Sequence, residues 1–165
     1  MSNEKEEEDK SKYNIECLGK KYSKDLKVYK IIILGLKGVG KTSIIHRLLN
    51  EGFDKEYLPT FSIDINTLQV KVNDEIMQFQ FWDLCGDDKF VENTKILFKN
   101  VSSAILVYAI NDRKSFDILE KWYNLLKDQS SDCIIFIIGN KSDLKEQREV
   151  EKEEVENFKN NNKVE

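Results

Sequence analysis

Proline is almost absent from this sequence, because Pro59 is the only one among 165 residues. An isolated proline is therefore informative, and Pro59 predicts a loop. Cysteine is also scarce, and Cys17, Cys85 and Cys133 are far apart and odd in number. Their spacing fits no set of metal ligands, and we expect reduced thiols of an intracellular protein.

An excess of positive charge is missing too. The chain has 26 lysines and arginines against 30 acidic residues, a formal net charge of −4. Non-specific nucleic-acid binding depends on neutralising phosphates, so we expect no nucleic-acid partner and only a local phosphate site. No apolar run is long enough to span a bilayer. The charged start predicts no signal peptide, and Ser2 excludes N-myristoylation.

The chain divides into two parts by composition. Residues 1–26 are rich in charge and bury too little apolar surface to offset chain entropy, which predicts a disordered N-terminal extension. Residues 27–165 carry the apolar pattern of one folded α/β domain.

Five apolar runs predict strands. Residues 31–34 are apolar on both faces and end at Gly35, which is typical of a central parallel strand. Residues 63–72 and 76–82 are joined by three polar residues, too few for a crossover, and predict an antiparallel hairpin. In its second strand Met77, Phe79 and Phe81 alternate with glutamines and predict one buried face. Residues 104–108 and 133–139 predict two further buried strands.

Three helices alternate with these strands. The first follows Lys41, ends at Gly52 and turns Ile44, Ile45, Leu48 and Leu49 inward. The second has Ser115 as its N-cap and turns inward Ile118, Leu119, Trp122, Leu125 and Leu126. The third covers residues 150–158 and ends at three asparagines, 160–162. The alternation predicts a three-layer α/β fold, with helices on both faces of a mostly parallel sheet and ligands beyond the strands' carboxyl ends.

A complete phosphate-loop motif follows the first strand. It reads Gly35-Leu36-Lys37-Gly38-Val39-Gly40-Lys41-Thr42 and opens a helix, the context that the motif requires. The glycines let successive N–H groups point at phosphate oxygens, and Lys41 supplies a positive charge. The Thr42 hydroxyl is expected to coordinate Mg²⁺. A glycine-rich turn without a ligand is the alternative. The residues expected around the phosphates are Lys37, Gly38, Val39, Gly40, Lys41, Thr42 and Ser43.

A second motif follows the last strand and reads Asn140-Lys141-Ser142-Asp143. Alone it is weak, because Asp143 could simply cap a helix. With the phosphate loop, the sequence from about residue 27 onward resembles the small GTPases, and among them the Rab branch. The resemblance rests also on Tyr57-Leu58-Pro59-Thr60, Trp82-Asp83-Leu84-Cys85-Gly86, Ile105-Leu106-Val107-Tyr108 followed by Ser115-Phe116, and Gly139.

The resemblance implies binding of GTP and GDP with Mg²⁺. It implies that the Asp143 carboxylate accepts hydrogen bonds from guanine N1–H and the 2-amino group, which adenine cannot donate as a pair. The other residues that it implies at the nucleotide are Asn140, Lys141, Phe53, Tyr57, Thr60, Asp83 and Gly86. It implies Thr42, Thr60 and Asp83 as the metal's protein partners. An ordinary core role for Phe53 remains open.

The resemblance implies that Thr60, Gly86 and residue 87 take part in catalysis. The last of these departs from the Rab pattern W-D-T-A-G-Q-E. Asp87 replaces the usual glutamine, is shorter, and has no amide N–H to donate. It predicts slow GTP hydrolysis. Lys37 stands where relatives have a small residue, and it can block an activating arginine, replace it, or point to solvent. We interpret Cys85 as a packing residue rather than a redox switch.

A second departure is length. The sequence stops about where relatives begin a sixth strand and a last helix, so both elements and the prenylated cysteines are expected to be absent. A shortened sequence, a wrongly predicted gene and a degenerate paralogue all fit this observation. We expect weaker nucleotide binding, lower stability, and membrane association only through a lipidated C-terminus beyond this chain.

The resemblance therefore predicts a Rab-like switch in vesicle traffic. We expect it to bind effector and regulator proteins through its switch loops, and to be cytoplasmic or peripheral on endomembranes. The alternative is a non-hydrolysing protein interaction module, which Asp87 and the length favour. A phosphate-loop ATPase is a third possibility, in which Asp143 would be incidental.

Overall fold

The computed structural model describes residues 14–49, 63–86 and 96–164. Its strands are β1 (Ile15–Gly19), β2 (Val28–Leu34), β3 (Asp64–Val72), β4 (Glu75–Asp83), β5 (Ser103–Ala109) and β6 (Ile134–Asn140). Its α-helices are α1 (Lys41–Leu48), α2 (Arg113–Asp117), α3 (Leu119–Gln129) and α4 (Lys152–Asn162). In these ranges no helix combines the length and the apolar character that crossing a membrane requires.

The strands form one twisted sheet in the order β1-β3-β4-β2-β5-β6. The pairs β2–β4, β2–β5 and β5–β6 are parallel. The pair β3–β4 is the predicted antiparallel hairpin. Helices cover both faces, so the predicted α/β fold class is confirmed. The carboxyl ends of β2, β4 and β6 meet at one side of the sheet, where the two sequence motifs lie.

The predicted disorder of residues 1–26 is wrong for part of that segment. β1 pairs antiparallel with β3, with Ile15 opposite Val72 and Cys17 opposite Val70. The connection to β2 is also held, because Gln78 accepts a hydrogen bond from the Ser23 N–H at 2.7 Å and donates one to the Ser23 carbonyl at 3.2 Å. Composition misses this segment because its order comes from a sheet edge distant in the sequence. Residues 1–13 lie outside the described residues.

The two faces of the sheet are packed differently. On the face that carries α2, α3 and α4, called here the three-helix face, the core includes the fully buried Phe98, Leu106 and Leu126. The opposite face carries α1 and has a smaller core around Ile33, Ile45 and Val107. On β6, Ile134 is 55% exposed and Phe136 is 42% exposed.

Some predicted inward positions of the helices and strands need correction. Leu48 was expected to be inward, yet it is exposed, because α1 ends there and nothing in the described ranges covers it. Gln78 was expected on a polar face, yet it is fully buried and accepts a hydrogen bond from Gln69 at 3.1 Å. Its amide is satisfied by that bond and by Ser23, which makes burial tolerable.

The start of α2 also differs from the prediction. The N-cap is Asp112, whose carboxylate accepts a hydrogen bond from the Ser115 N–H. The buried Ser115 hydroxyl instead joins the end of β5, donating to the Asp112 carbonyl at 2.6 Å and accepting from the Ala109 N–H at 3.0 Å. Both residue types cap helices, and only the fold decides between them.

The last helix is longer than predicted. The three asparagines lie inside α4, which ends at Lys163 in the left-handed conformation. Tyr123 donates a hydrogen bond to the Asn162 carbonyl at 2.9 Å, and Phe158 packs on Phe116. These contacts of α4 with α2 and α3 outweigh the weak helix propensity of asparagine.

Candidate functional site

The phosphate loop lies between β2 and α1 and fits tightly against its neighbours. A Cβ atom at Gly35 would lie 2.1 Å from the Val107 carbonyl oxygen. At Gly40, where φ is 97°, a Cβ atom would lie 2.2 Å from Nδ2 of Asn140. Only glycine fits these positions, and their close packing brings the loop amides to the start of α1. A helix N-terminus with free amides favours anions.

Lys41 lies across this loop and is buried. Its Nζ donates hydrogen bonds to the carbonyls of Gly35 at 3.0 Å and Leu36 at 3.1 Å. Burial lowers the pKa of Lys41, and the nearby Asp83 and Cys85 oppose that shift. The ammonium group is thus desolvated and held in place, which strengthens its attraction to an anion at the loop.

Thr42 and Asp83 form the part of the site that suits a metal. The Thr42 hydroxyl donates to Oδ2 of Asp83 at 2.5 Å, and Oδ1 of Asp83 is buried with no hydrogen-bond partner in the described residues. Burial raises the pKa of Asp83, while the bond from Thr42 and the charge of Lys41 lower it.

These donors fit a magnesium ion that is bound with a phosphate ligand. A hydroxyl and a carboxylate oxygen are hard oxygen ligands, and Mg²⁺ in nucleotide sites usually takes only one or two protein groups besides water and phosphate. The described ranges hold no cluster of three or more histidine, cysteine or acidic side chains. An all-protein metal cage is therefore not formed by these residues.

The end of β4 is in contact with the phosphate loop. The Lys37 N–H donates to the Gly86 carbonyl at 3.0 Å. A Cβ atom at Gly86 would lie 2.4 Å from the Lys37 nitrogen and 2.6 Å from Nζ of Lys41. Gly86 therefore lies where it can respond to a group bound beside Lys41. The side chain of Lys37 is exposed, and Cys85 is half-buried.

The second motif is braced against the phosphate loop. Nδ2 of Asn140 donates to the Val39 carbonyl at 2.8 Å, and the Asn140 carbonyl accepts from the Ile110 N–H at 3.0 Å. Lys141 adopts the left-handed conformation with φ of 61°. Asp143 is exposed. Its carboxylate is therefore accessible to a ligand.

Several predicted site residues lie outside the described residues. They are Phe53, Tyr57, Thr60 and Asp87. Their proposed contacts with the base, the metal and the γ-phosphate stay predictions. Of the others, Gly38 is exposed and Ser43 is half-buried at the start of α1.

One supporting contact was not foreseen from the sequence. A Cβ atom at Gly139 would lie 2.5 Å from the hydroxyl oxygen of Tyr108, so the absent side chain leaves room for that ring beneath the Asn140 loop. Tyr108 in turn packs edge-on against Phe116. The glycine that precedes the motif was the available signal, but its partner on β5 is set by strand register.

Comparisons with known proteins agree with this geometry. The sequence model of the Ras family matches residues 30–165. The chain is 37% identical over 122 residues to the Ras-related protein Rab-11B of Dictyostelium discoideum, covering 73% of this chain and 56% of that protein. It is 37% identical over 124 residues to the Ypt/Rab-type GTPase ypt7 of Schizosaccharomyces pombe, covering 72% and 60%.

A third relative is matched over more of its length. The chain is 30% identical over 138 residues to the Ras-related protein Rab-13 of Rattus norvegicus, covering 83% of this chain and 68% of that protein. The chain thus spans roughly three-fifths of the length of the curated relatives that it matches. The family model covers most of the chain, and the matched relatives carry Rab names. The chain therefore belongs to the Ras family of small GTPases and is Rab-like.

Proposed function

We propose that this chain binds GDP and GTP and acts as a Rab-like molecular switch. The observation that carries the proposal is the convergence of Lys41, Asp83 and Asn140 at the carboxyl ends of three parallel strands, β2, β4 and β6. The first two supply charge for phosphates and a metal, and the third joins the base-side loop to the phosphate loop. No single one of these features would select a guanine nucleotide.

Each residue has a separate task in this proposal. Lys41 and the loop amides would bind the β- and γ-phosphates, and the Thr42 hydroxyl would be a ligand for the metal. Asp83 would help to hold the metal, and its Oδ1, which has no hydrogen-bond partner among the described residues, would be the available acceptor. Magnesium, when bound, neutralises phosphate charge and orients the terminal phosphate. Asp143 accepts the two guanine donors, while the Lys141 stem covers the base.

The switch itself follows from the position of Gly86. Its carbonyl is bonded to Lys37, and its backbone is close to Lys41. A γ-phosphate beside Lys41 would compete for this space and would favour a new arrangement of Gly86 and of the residues after it. Thr60 would join the metal only with GTP. Effector and regulator proteins would bind differently to the loops that contain Thr60 and Gly86 in the two nucleotide states.

Hydrolysis is proposed to be slow because of Asp87. Its carboxylate has no N–H to donate and would repel the γ-phosphate. A role in vesicle traffic, and a peripheral location on endomembranes through a lipidated segment beyond this chain, are proposed from the Rab relatives. The same Asp87 favours the second candidate, a non-hydrolysing interaction module that keeps one nucleotide.

Nucleotide extraction and single-turnover kinetics test both candidates. We expect GDP or GTP in the extract of the purified protein, and slow hydrolysis that Asp87→Gln accelerates by about tenfold. If the wild type hydrolyses GTP as fast as relatives that have glutamine at this position, the role given to Asp87 is contradicted. Bound GTP with no turnover in the wild type or in Asp87→Gln would favour the non-hydrolysing module. An extract that contains only adenine nucleotides would contradict the proposal.

A further inference from the structure

One lysine contacts both the end of β4 and the turn at residues 96–99. Lys30 lies on β2, and its Nζ is 4.1 Å from the ring centroid of Trp82, the residue before Asp83. The same Nζ donates a hydrogen bond to the Leu97 carbonyl at 2.5 Å and a longer one to the Lys99 carbonyl at 3.4 Å. Lys30 is therefore a direct bridge between the end of β4 and residues 97–99.

The carbonyls that Lys30 contacts belong to the end of a short helical turn. Residues 96–98 form one 3₁₀ turn, and such turns leave their last carbonyls without partners inside the helix. Side chains supply those partners here, since the Ser130 hydroxyl donates to the Phe98 carbonyl at 2.6 Å. Lys30 and Ser130 thus hold three successive carbonyls from two sides. Of these two side chains, Lys30 is the one that also contacts Trp82.

Trp82 has no hydrogen bond within the described residues that would fix its ring. Its Nε1 is buried and has no hydrogen-bond partner in the part of the chain that the structure describes. The ring is therefore held by packing and by the lysine above it rather than by a bond of its own. Burial lowers the pKa of Lys30. A desolvated cation binds carbonyl oxygens and an aromatic face more strongly than an exposed one does.

We infer that Lys30 is a positioning residue for the nucleotide response, because it fixes the end of β4 relative to residues 97–99. Asp83 follows Trp82 directly, and Gly86, three residues further on, contacts the phosphate loop. A fixed end of β4 keeps Gly86 beside Lys41, where a γ-phosphate would bind. Because only GTP carries that phosphate, a shift of this strand end is expected to weaken GTP binding more than GDP binding. The inference rests on the proposed function, since it concerns the preference between GTP and GDP.

Two variants that each remove hydrogen bonds to the carbonyls of residues 97–99 test the role of Lys30. Lys30→Met keeps most of the side-chain stem but loses both carbonyl bonds and the contact of the charge with Trp82. Ser130→Ala removes one carbonyl bond at the same turn and leaves Trp82 untouched. Affinities for GDP and for a non-hydrolysable GTP analogue are measured for each variant with Mg²⁺, together with its thermal unfolding.

We expect Lys30→Met to lower the ratio of GTP-analogue affinity to GDP affinity by about fivefold, a typical size for coupling between sites. Ser130→Ala should keep the wild-type ratio even if it lowers the melting temperature. An unchanged ratio in Lys30→Met, or an equal change in both variants, overturns the inference. If Lys30→Met does not fold, Lys30→Gln takes its place, and a wild-type ratio in Lys30→Gln overturns the inference as well.

The outcome also separates this inference from the proposed function. If the wild-type protein binds neither guanine nucleotide, the proposed function fails and the positioning role fails with it. If the wild type binds both nucleotides and the ratio does not respond to Lys30, only the positioning role fails. Lys30→Arg, which keeps the charge and the donors, is expected to restore the ratio to near the wild-type value.

Discussion

The phosphate end and the base end of the site are built on different physical principles. At the phosphate end Lys41 and Asp83 are both buried, and burial lowers the pKa of the first and raises the pKa of the second. At the base end Asn140 is held by neutral hydrogen bonds, and Asp143 is exposed. From this difference we expect the phosphate end to supply most of the affinity for a nucleotide and the base end to supply the choice of base.

The largest expected effect is at Lys41. Lys41→Met should reduce GDP affinity by roughly 100-fold or more, because it removes a desolvated charge that would face the phosphates. It should not destabilise the nucleotide-free protein, since the methionine carries no charge to bury. Titration calorimetry and chemical unfolding measure the two quantities.

Lys37→Met is the matched control in the same loop. The Lys37 side chain is exposed, so its loss should change GDP affinity by only about twofold. Equal losses in the two variants would mean that the buried position of Lys41 gives it no special role.

The next effect is at the base end. Asp143→Asn exchanges a double acceptor for one acceptor and one donor, which suits the N1–H and the 2-carbonyl of xanthine. The preference for GDP over XDP should therefore fall by about 10- to 100-fold, while the affinity contributed by the phosphates remains. Ser142→Ala, at the neighbouring exposed position, should leave the preference unchanged, and competition binding measures both. A preference that persists in Asp143→Asn would place base selection elsewhere.

The smallest effect is the pH dependence of the nucleotide-free protein. Because burial raises the pKa of Asp83 in the folded state, the folded form binds more protons than the unfolded form between the ordinary and the raised pKa. Stability should therefore fall as the pH rises through that window, and Asp83→Asn should remove this part of the slope. Denaturant unfolding over the acidic range measures it. A slope that is the same in both proteins would argue against the buried charge.

The sequence predicted the fold where the signal was local. The apolar run before Gly35 and the hairpin around residues 73–75 both gave strands in the structure. It failed where long-range contacts decide, as for β1, whose partner is β3, and for Ser115, which bonds back to β5 instead of capping α2. Neither composition nor cap preference contains those partners.

The candidate site was also predictable from local signals in the sequence. Its motifs combine glycines, Lys41 and Asp83 at the ends of strands, and parallel strands bring such ends together. The contacts that support the site were not visible, because they join residues on separate strands. The stacking of Lys30 on Trp82 and the space that Gly139 leaves for Tyr108 both depend on register across the sheet.

Selection of guanine by this site is tested by comparing two nucleotides that differ only in the base. Calorimetric titration of nucleotide-free protein with GDP and with ADP, in excess Mg²⁺, separates the base end from the phosphate end in one experiment. GDP is expected to bind at least about 100-fold more tightly than ADP, because adenine leaves the Asp143 acceptors unpaired. Equal affinities for GDP and ADP would contradict this selection.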